Sequence, residues 1–178
     1  MNIVKNFELI KNTLSGGVKI IAVSKTKSKD KILKIYKTGH RDFGENRIQE
    51  MKEKYDQLPK DIKWHMIGHL QKNKVKYIAP FVDLIHSVDS FKLLKEINKQ
   101  GIKNKRIIKC LLQIKIAKEE SKFGLLKNEI EDLISLSSDL NNINIIGLMG
   151  MATFTNNQDI INSEFKEIST LFKNLKIS

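Results

Sequence analysis

The 178-residue chain reads as an α/β protein built on a parallel sheet. Three observations predict this. Short apolar runs alternate with amphipathic segments from the first strand candidate to the end of the chain. Several of these runs are almost continuously apolar, as strands covered on both faces are. No Pro/Gly/Ser-rich linker or shift of composition interrupts the alternation, so residues 1–178 are expected to form one domain. Strands each followed by a helix pair in parallel through right-handed crossovers.

The elements follow in order. Ile3, Val4, Phe7, Ile10 and Leu14 are spaced for an amphipathic helix ended by Gly16-Gly17. Val18 to Val23 is a buried strand candidate. Ser28 or Asp30 opens a helix carrying Ile32, Leu33, Ile35 and Tyr36, which stops at Gly39. Arg41-Asp42-Phe43 is a short, weak strand, followed by a helix from Asn46 to Gln57. Ile62 to Ile67 reads as a strand, Leu70 to Ile78 as a short helix, and Val82 to Ser87 as a strand. Phe91, Leu94 and Ile97 share one face of a helix over 90–100. Ile107 to Ile116 is the longest strand candidate. A helix over 125–140, a strand from Ile143 to Met149 and a helix over 158–175 with Phe165, Ile168 and Leu171 complete the pattern.

Six such units suit either a doubly wound sheet or a (β/α)8 barrel. The first strand runs into Ser24-Lys25-Thr26-Lys27, with no G-x-G-x-x-G fingerprint and no P-loop. A lone barrel takes roughly 200–250 residues, and six units fall two short of it.

With 40% hydrophobic and 29% charged residues the chain is neither disordered nor membrane-embedded. No apolar run approaches the roughly 20 residues that span a bilayer. Met1-Asn2-Ile3-Val4-Lys5 lacks the layout of a signal peptide, and a lone Cys110 excludes an internal disulfide framework. A formal charge of +12 raises the question of nucleic acid. Arginine, the better base and phosphate reader, is confined to Arg41, Arg47 and Arg106. The lysines are scattered without interleaved aromatics, so no nucleic-acid partner is expected.

In parallel α/β folds the functional face lies at the C-terminal ends of the strands. Lys25 stands at the first of these. A lysine held there in a partly desolvated site, with other cations near, would have its pKa lowered toward the neutral amine that a Schiff base uses; the alternative is a strand-end lysine merely pointing into solvent. His65 and His69 are four apart, but they sit on a strand and a turn, so the spacing carries no metal signal. His86 reads as a strand-end residue bonding a backbone carbonyl, with a catalytic base as the second reading. Ser24, Ser87 and Ser90 lack a G-x-S-x-G setting.

The strand ends also carry a resemblance. Ala22-Val23-Ser24-Lys25-Thr26-Lys27, Phe43-Gly44-Glu45-Asn46 with Gln49-Glu50, Trp64-His65-Met66-Ile67-Gly68-His69-Leu70-Gln71-Lys72-Asn73-Lys74 and Ser87-Val88-Asp89-Ser90 occur in that order. Glu120-Ser121-Lys122-Phe123-Gly124 and Gly147-Leu148-Met149 continue the series. Together they resemble the pyridoxal phosphate homeostasis proteins, which are related to the N-terminal domain of alanine racemase. The resemblance implies a TIM-type (β/α)8 barrel of the PLP fold type III, here without its last two strands. It further implies pyridoxal 5′-phosphate (PLP) held as a Schiff base on Lys25, with Asn46, His65 and Met149 around the cofactor ring. Lys27 would keep the local potential positive. Such proteins are cytoplasmic, buffer PLP or deliver it to PLP-dependent apoenzymes, and lack robust catalysis; a monomer is expected.

Departures from the pattern are Arg47 where the family often has Tyr, His69 at a variable place, and Gly150-Met151-Ala152 after Gly-Leu-Met. The family's later Ser-Met-Gly-Met-Ser and Arg-x-Gly stretches, which supply much of the phosphate cradle, are not in the chain. A piece of a longer protein is therefore expected, with an open barrel prone to aggregate and weak affinity for phosphate. The rival readings are a PLP-dependent racemase or decarboxylase on the same barrel, and a basic RNA-binding protein.

Overall fold

Strand order decides between the two architectures. A computed structural model of the protein describes residues 2–117 and 123–175. Strands β1 (Ala22–Val23), β2 (Asp42–Glu45), β3 (Lys63–Met66), β4 (Leu84–Val88), β5 (Ile108–Ile114) and β6 (Ile143–Gly150) form one sheet in sequential order. Every neighbouring pair is parallel. A doubly wound sheet reverses its strand order at a switch point; this one never does. Right-handed crossovers then carry every helix to the same face. These helices are α1 (Ile3–Thr13), α2 (Lys29–Tyr36), α3 (Ile48–Gln57), α4 (Phe91–Asn104), α5 (Lys127–Leu136) and α6 (Gln158–Asn174), with a 3-10 turn at Lys72–Tyr77. The arrangement is that of six consecutive units of a (β/α)8 barrel. β1 and β6 each have one strand neighbour among the described residues.

The two faces of the sheet differ in chemistry. Toward the helices point Phe43, Trp64, Met66, Ile85, Ile108, Cys110 and Leu112, all buried, which pack with Ile32, Met51, Val75, Leu94, Ile97 and Ile130 in one cluster. Burying each such side chain contributes about 1.5–3 kcal/mol. Burial pushes the Cys110 thiol up to about 12, which makes it an inert core residue. The opposite, lumen-side face carries alternate residues of the same strands, among them Asp42, Gly44, His65 and His86.

Several boundaries move for physical reasons. The apolar run over 18–23 yields only Ala22–Val23 as paired strand, because the ladder with β2 is limited to Ala22↔Phe43 and Val23↔Gly44. β2 extends beyond Phe43 through Gly44 and Glu45, four residues buried in a row. The segment after Leu70 is a 3-10 turn rather than an α-helix, closed by i→i+3 bonds such as Ile78 N–H to Val75 C=O at 3.1 Å. α4 runs on past residue 100 because Gly101 is a close-approach residue, not a breaker. A Cβ there would lie 2.6 Å from the Asn142 carbonyl oxygen.

Candidate functional site

The C-terminal ends of β1 and β2 meet at the turn that carries Lys25. Lys25 follows β1, and the chain turns at once: Thr26 has φ 62°. That left-handed conformation costs a β-branched residue about 1–2 kcal/mol, so it requires bonds to hold it. They are present on both sides of Lys25. Ser24 N–H donates to the Gly44 carbonyl at 2.9 Å, and Ser24 Oγ donates to Glu45 Oε1 at 2.6 Å. Thr26 N–H donates to Glu50 Oε1 at 2.6 Å. Lys54, on α3, reaches beneath the turn and places its ammonium 2.7 Å from the Ser24 carbonyl oxygen, Glu45 Oε1 and Glu50 Oε1 alike.

Glu45 is fully buried, and its Oε2 is without a hydrogen-bond partner. Burial raises its carboxyl above the usual range, against the pull of Lys54 and Ser24. Burial acts the same way on Glu50, but there the Lys54 ammonium and the Thr26 N–H win, and its carboxyl lies below the usual range.

Lys25 itself is exposed and has no hydrogen bond or ion pair among the described residues. This corrects the expectation of a partly desolvated lysine. The strand that carries it lies at the edge of the sheet, and the turn at Thr26 lifts the chain off the ladder. Lys27 lines an apolar groove of about 220 Å³ between α1, β1 and α2, beside Lys31, Ile32 and Phe7.

A second polar layer lies below on the lumen side. Asp42 Oδ1 accepts from Lys19 Nζ at 2.8 Å and from His65 Nε2 at 3.0 Å. His65 Nδ1 lies 2.9 Å from His86 Nε2. A carboxylate offers only acceptors, so neutral His65 carries its proton on Nε2, and His86 Nε2–H donates to His65 Nδ1. The result is one directed chain from His86 through His65 to Asp42. Burial depresses both histidines, His86 to about 4 with help from His65. Burial raises Asp42, but Lys19 and His65 outweigh it and hold its carboxyl below the usual range. His86 thus bonds a side chain, not the backbone carbonyl expected for it.

Of the four candidate residues, Lys25, Asn46 and His65 come from the adjacent strands β1 to β3. Asn46 follows β2, half-buried. Gly68 lets the end of β3 lie against it, since a Cβ on Gly68 would fall 2.4 Å from the Asn46 carbonyl oxygen. His65 is buried in β3 with both ring nitrogens engaged. Met149 stands apart on β6, at the other edge of the sheet and paired in register with Gln113. His69 stacks on Phe123 and pairs with Asp89 at 3.3 Å. Glu120, Ser121 and Lys122 lie outside the described residues. Sequence reasoning missed Lys19 and Asp42 in the lumen layer and Lys54 behind the turn. The Glu50-x-x-x-Lys54 spacing was the available signal, but it reads as an ordinary surface pair.

Comparison with known proteins agrees with this fold. Residues 1–177 match the family described as "Alanine racemase, N-terminal domain". The "Pyridoxal phosphate homeostasis protein" of Aquifex aeolicus (strain VF5) is 35% identical over 154 residues, 86% of this chain and 68% of that protein. The chain belongs to the pyridoxal phosphate homeostasis protein family. Among solved structures, PipY of Synechococcus elongatus PCC7942 without PLP superposes with a TM-score of 0.93 at 31% identity, covering 98% of this chain and 82% of PipY. PipY with PLP bound gives 0.90 at 30% identity, with the same coverage. Alanine racemase of Clostridium difficile 630, at 17% identity and TM-score 0.79 over 99% of this chain and 48% of that one, shares the fold. Among the described residues, no helix of this homeostasis-family chain is long and apolar enough to cross a membrane.

Proposed function

We propose that this chain binds pyridoxal 5′-phosphate as a Schiff base on Lys25 and acts in cytoplasmic PLP homeostasis without robust catalysis of its own. One observation carries the reading. In a member of this family, the strand-end lysine is a primary amine with no partner among the described residues, mounted on a turn bonded on both sides. That donor set fits an aldehyde. Lys25 would hold the group through its amine nitrogen as a Schiff base, with the aldehyde oxygen lost as water. A second amine reverses the exchange, which is what a reversible store for PLP-dependent apoenzymes requires.

The bound group supplies an aldehyde whose indiscriminate reaction with cellular amines the protein prevents. Asn46 and His65 would border it from β2 and β3, and Met149 from β6. His65 serves as a fixed, neutral floor, because both of its nitrogens are bonded. The same bonds leave His65 no free ring nitrogen with which to transfer a proton to a substrate. The protein is read as a monomer without nucleic-acid or membrane partners.

The test is reduction with borohydride followed by peptide mapping. The cofactor should be fixed to Lys25, and Lys25→Ala should lose the chromophore while its stability changes by no more than about 0.5 kcal/mol, as for other exposed substitutions. A chromophore unchanged in Lys25→Ala overturns the assignment. Steady turnover of an amino acid by the purified protein overturns the non-catalytic half.

A further inference from the structure

We propose that Lys54, Glu45 and Glu50 form a positioning clamp that fixes the backbone on both sides of Lys25 and so aims its amine; this rests on the reading of Lys25 as the cofactor-bearing lysine. None of the three touches the reacting atoms. Each acts through Ser24 or Thr26.

The donor count of Lys54 is the first argument. An ammonium has three N–H donors, and Lys54 spends them on the Ser24 carbonyl, Glu45 and Glu50, each at 2.7 Å. Nothing is left over for solvent or ligand, and Lys54 is buried. The second argument is where the acceptors lead. Glu45 also takes the Ser24 hydroxyl, and Glu50 takes the Thr26 N–H. The network therefore grips the residues immediately before and after Lys25 and leaves Lys25 itself unbonded.

Energetics supplies the third argument. A buried ion pair stabilises a fold no better than apolar residues of the same size. Specifying one backbone conformation is the use such groups serve best, and Thr26 presents a conformation in need of it, left-handed at φ 62°. With Glu50 as acceptor for its N–H, that turn becomes the bonded state. A reacting amine mounted on a fixed backbone has only its own side-chain torsions left to order, so orientation is largely prepared before the cofactor arrives.

Glu50→Ala tests this without removing the fully buried member, since the Glu50 carboxylate lies at the edge of the network with 24% of its side chain exposed. Two readouts are taken on the full chain: hydrogen exchange of the Thr26 amide in the cofactor-free protein, and the rate of borohydride-trappable capture of PLP at Lys25. The Thr26 amide should be protected in the parent and exchange at least about ten-fold faster in Glu50→Ala. Capture should slow by about ten-fold, on the scale expected for lost orientation. Glu50→Gln, which keeps an acceptor oxygen for Thr26, should recover most of both. An unprotected Thr26 amide in the parent, or capture by Glu50→Ala at the parental rate, overturns the clamp alone. A parent chain that forms no adduct on Lys25 overturns the cofactor reading and the clamp's purpose with it.

Discussion

His86 is where acid should first be felt. Its ring is held neutral by burial, with a folded value of about 4, against an unfolded value near 6.5. Protons therefore bind the unfolded chain more readily. The stabilising contribution is complete above pH ~6.5 and is lost as pH falls through the folded value, to a total of about 3 kcal/mol. His65 shifts in the same direction. Asp42, with a lowered carboxyl, loses its contribution only at still lower pH. Glu45, raised by burial, opposes the loss. Comparing the parent with His86→Gln isolates the histidine, because the amide can still donate to His65 Nδ1. Urea midpoints at pH 7 and 4.5 should lie clearly closer together in His86→Gln. Equal separations in both proteins would remove His86 from the account.

At the scale of elements, the strand–helix rhythm was legible and the polar joints between elements were not. Periodicity reports burial, which is why the strands near Trp64, Ile85 and Leu112 could be read directly. It does not report pairing, so the edge strand was drawn too long, and it reads Gly44-Glu45 as a strand's end when both belong to β2. Buried Glu45 is met by Lys54 arriving from α3, a tertiary fact with no local signature. Lys25 was found from its place at a strand end, while its exposure depended on which strands flank it. Gly68 makes the joint between β2 and β3 testable. A methyl group there would meet the backbone of Asn46 at 2.4, 2.7 and 2.9 Å, where no flexible side chain can yield. Gly68→Ala should cost about 1–3 kcal/mol of stability, as overpacking does, and displace Asn46 from the site. Thermal melting measures the first effect and PLP affinity the second. A variant that melts and binds like the parent would show that the two strand ends are not tightly joined.

At the scale of the whole molecule, the open sheet edges among the described residues and a large charge act against each other. β1 offers a two-residue edge, but β6 offers eight residues, and Ile146 on that strand remains 37% exposed. A long unpaired edge with an apolar side chain is a template for pairing with another chain. The formal charge of +12 opposes that encounter, because like-charged molecules repel across the distance set by salt. The screening length is about 10 Å at 0.1 M salt and about 3 Å at 1 M, so the repulsion is removable without touching the fold. The 178-residue chain should therefore stay dispersed in dilute buffer and grow in light scattering as salt rises from about 0.05 to about 0.5 M. Ile146→Lys places a charge on the edge and should suppress most of that growth. Leu136→Lys adds the same charge at an exposed site on α5, away from the sheet, and should suppress far less. If both lysines act equally, net charge alone governs association; if scattering ignores salt, the β6 edge is not the contact.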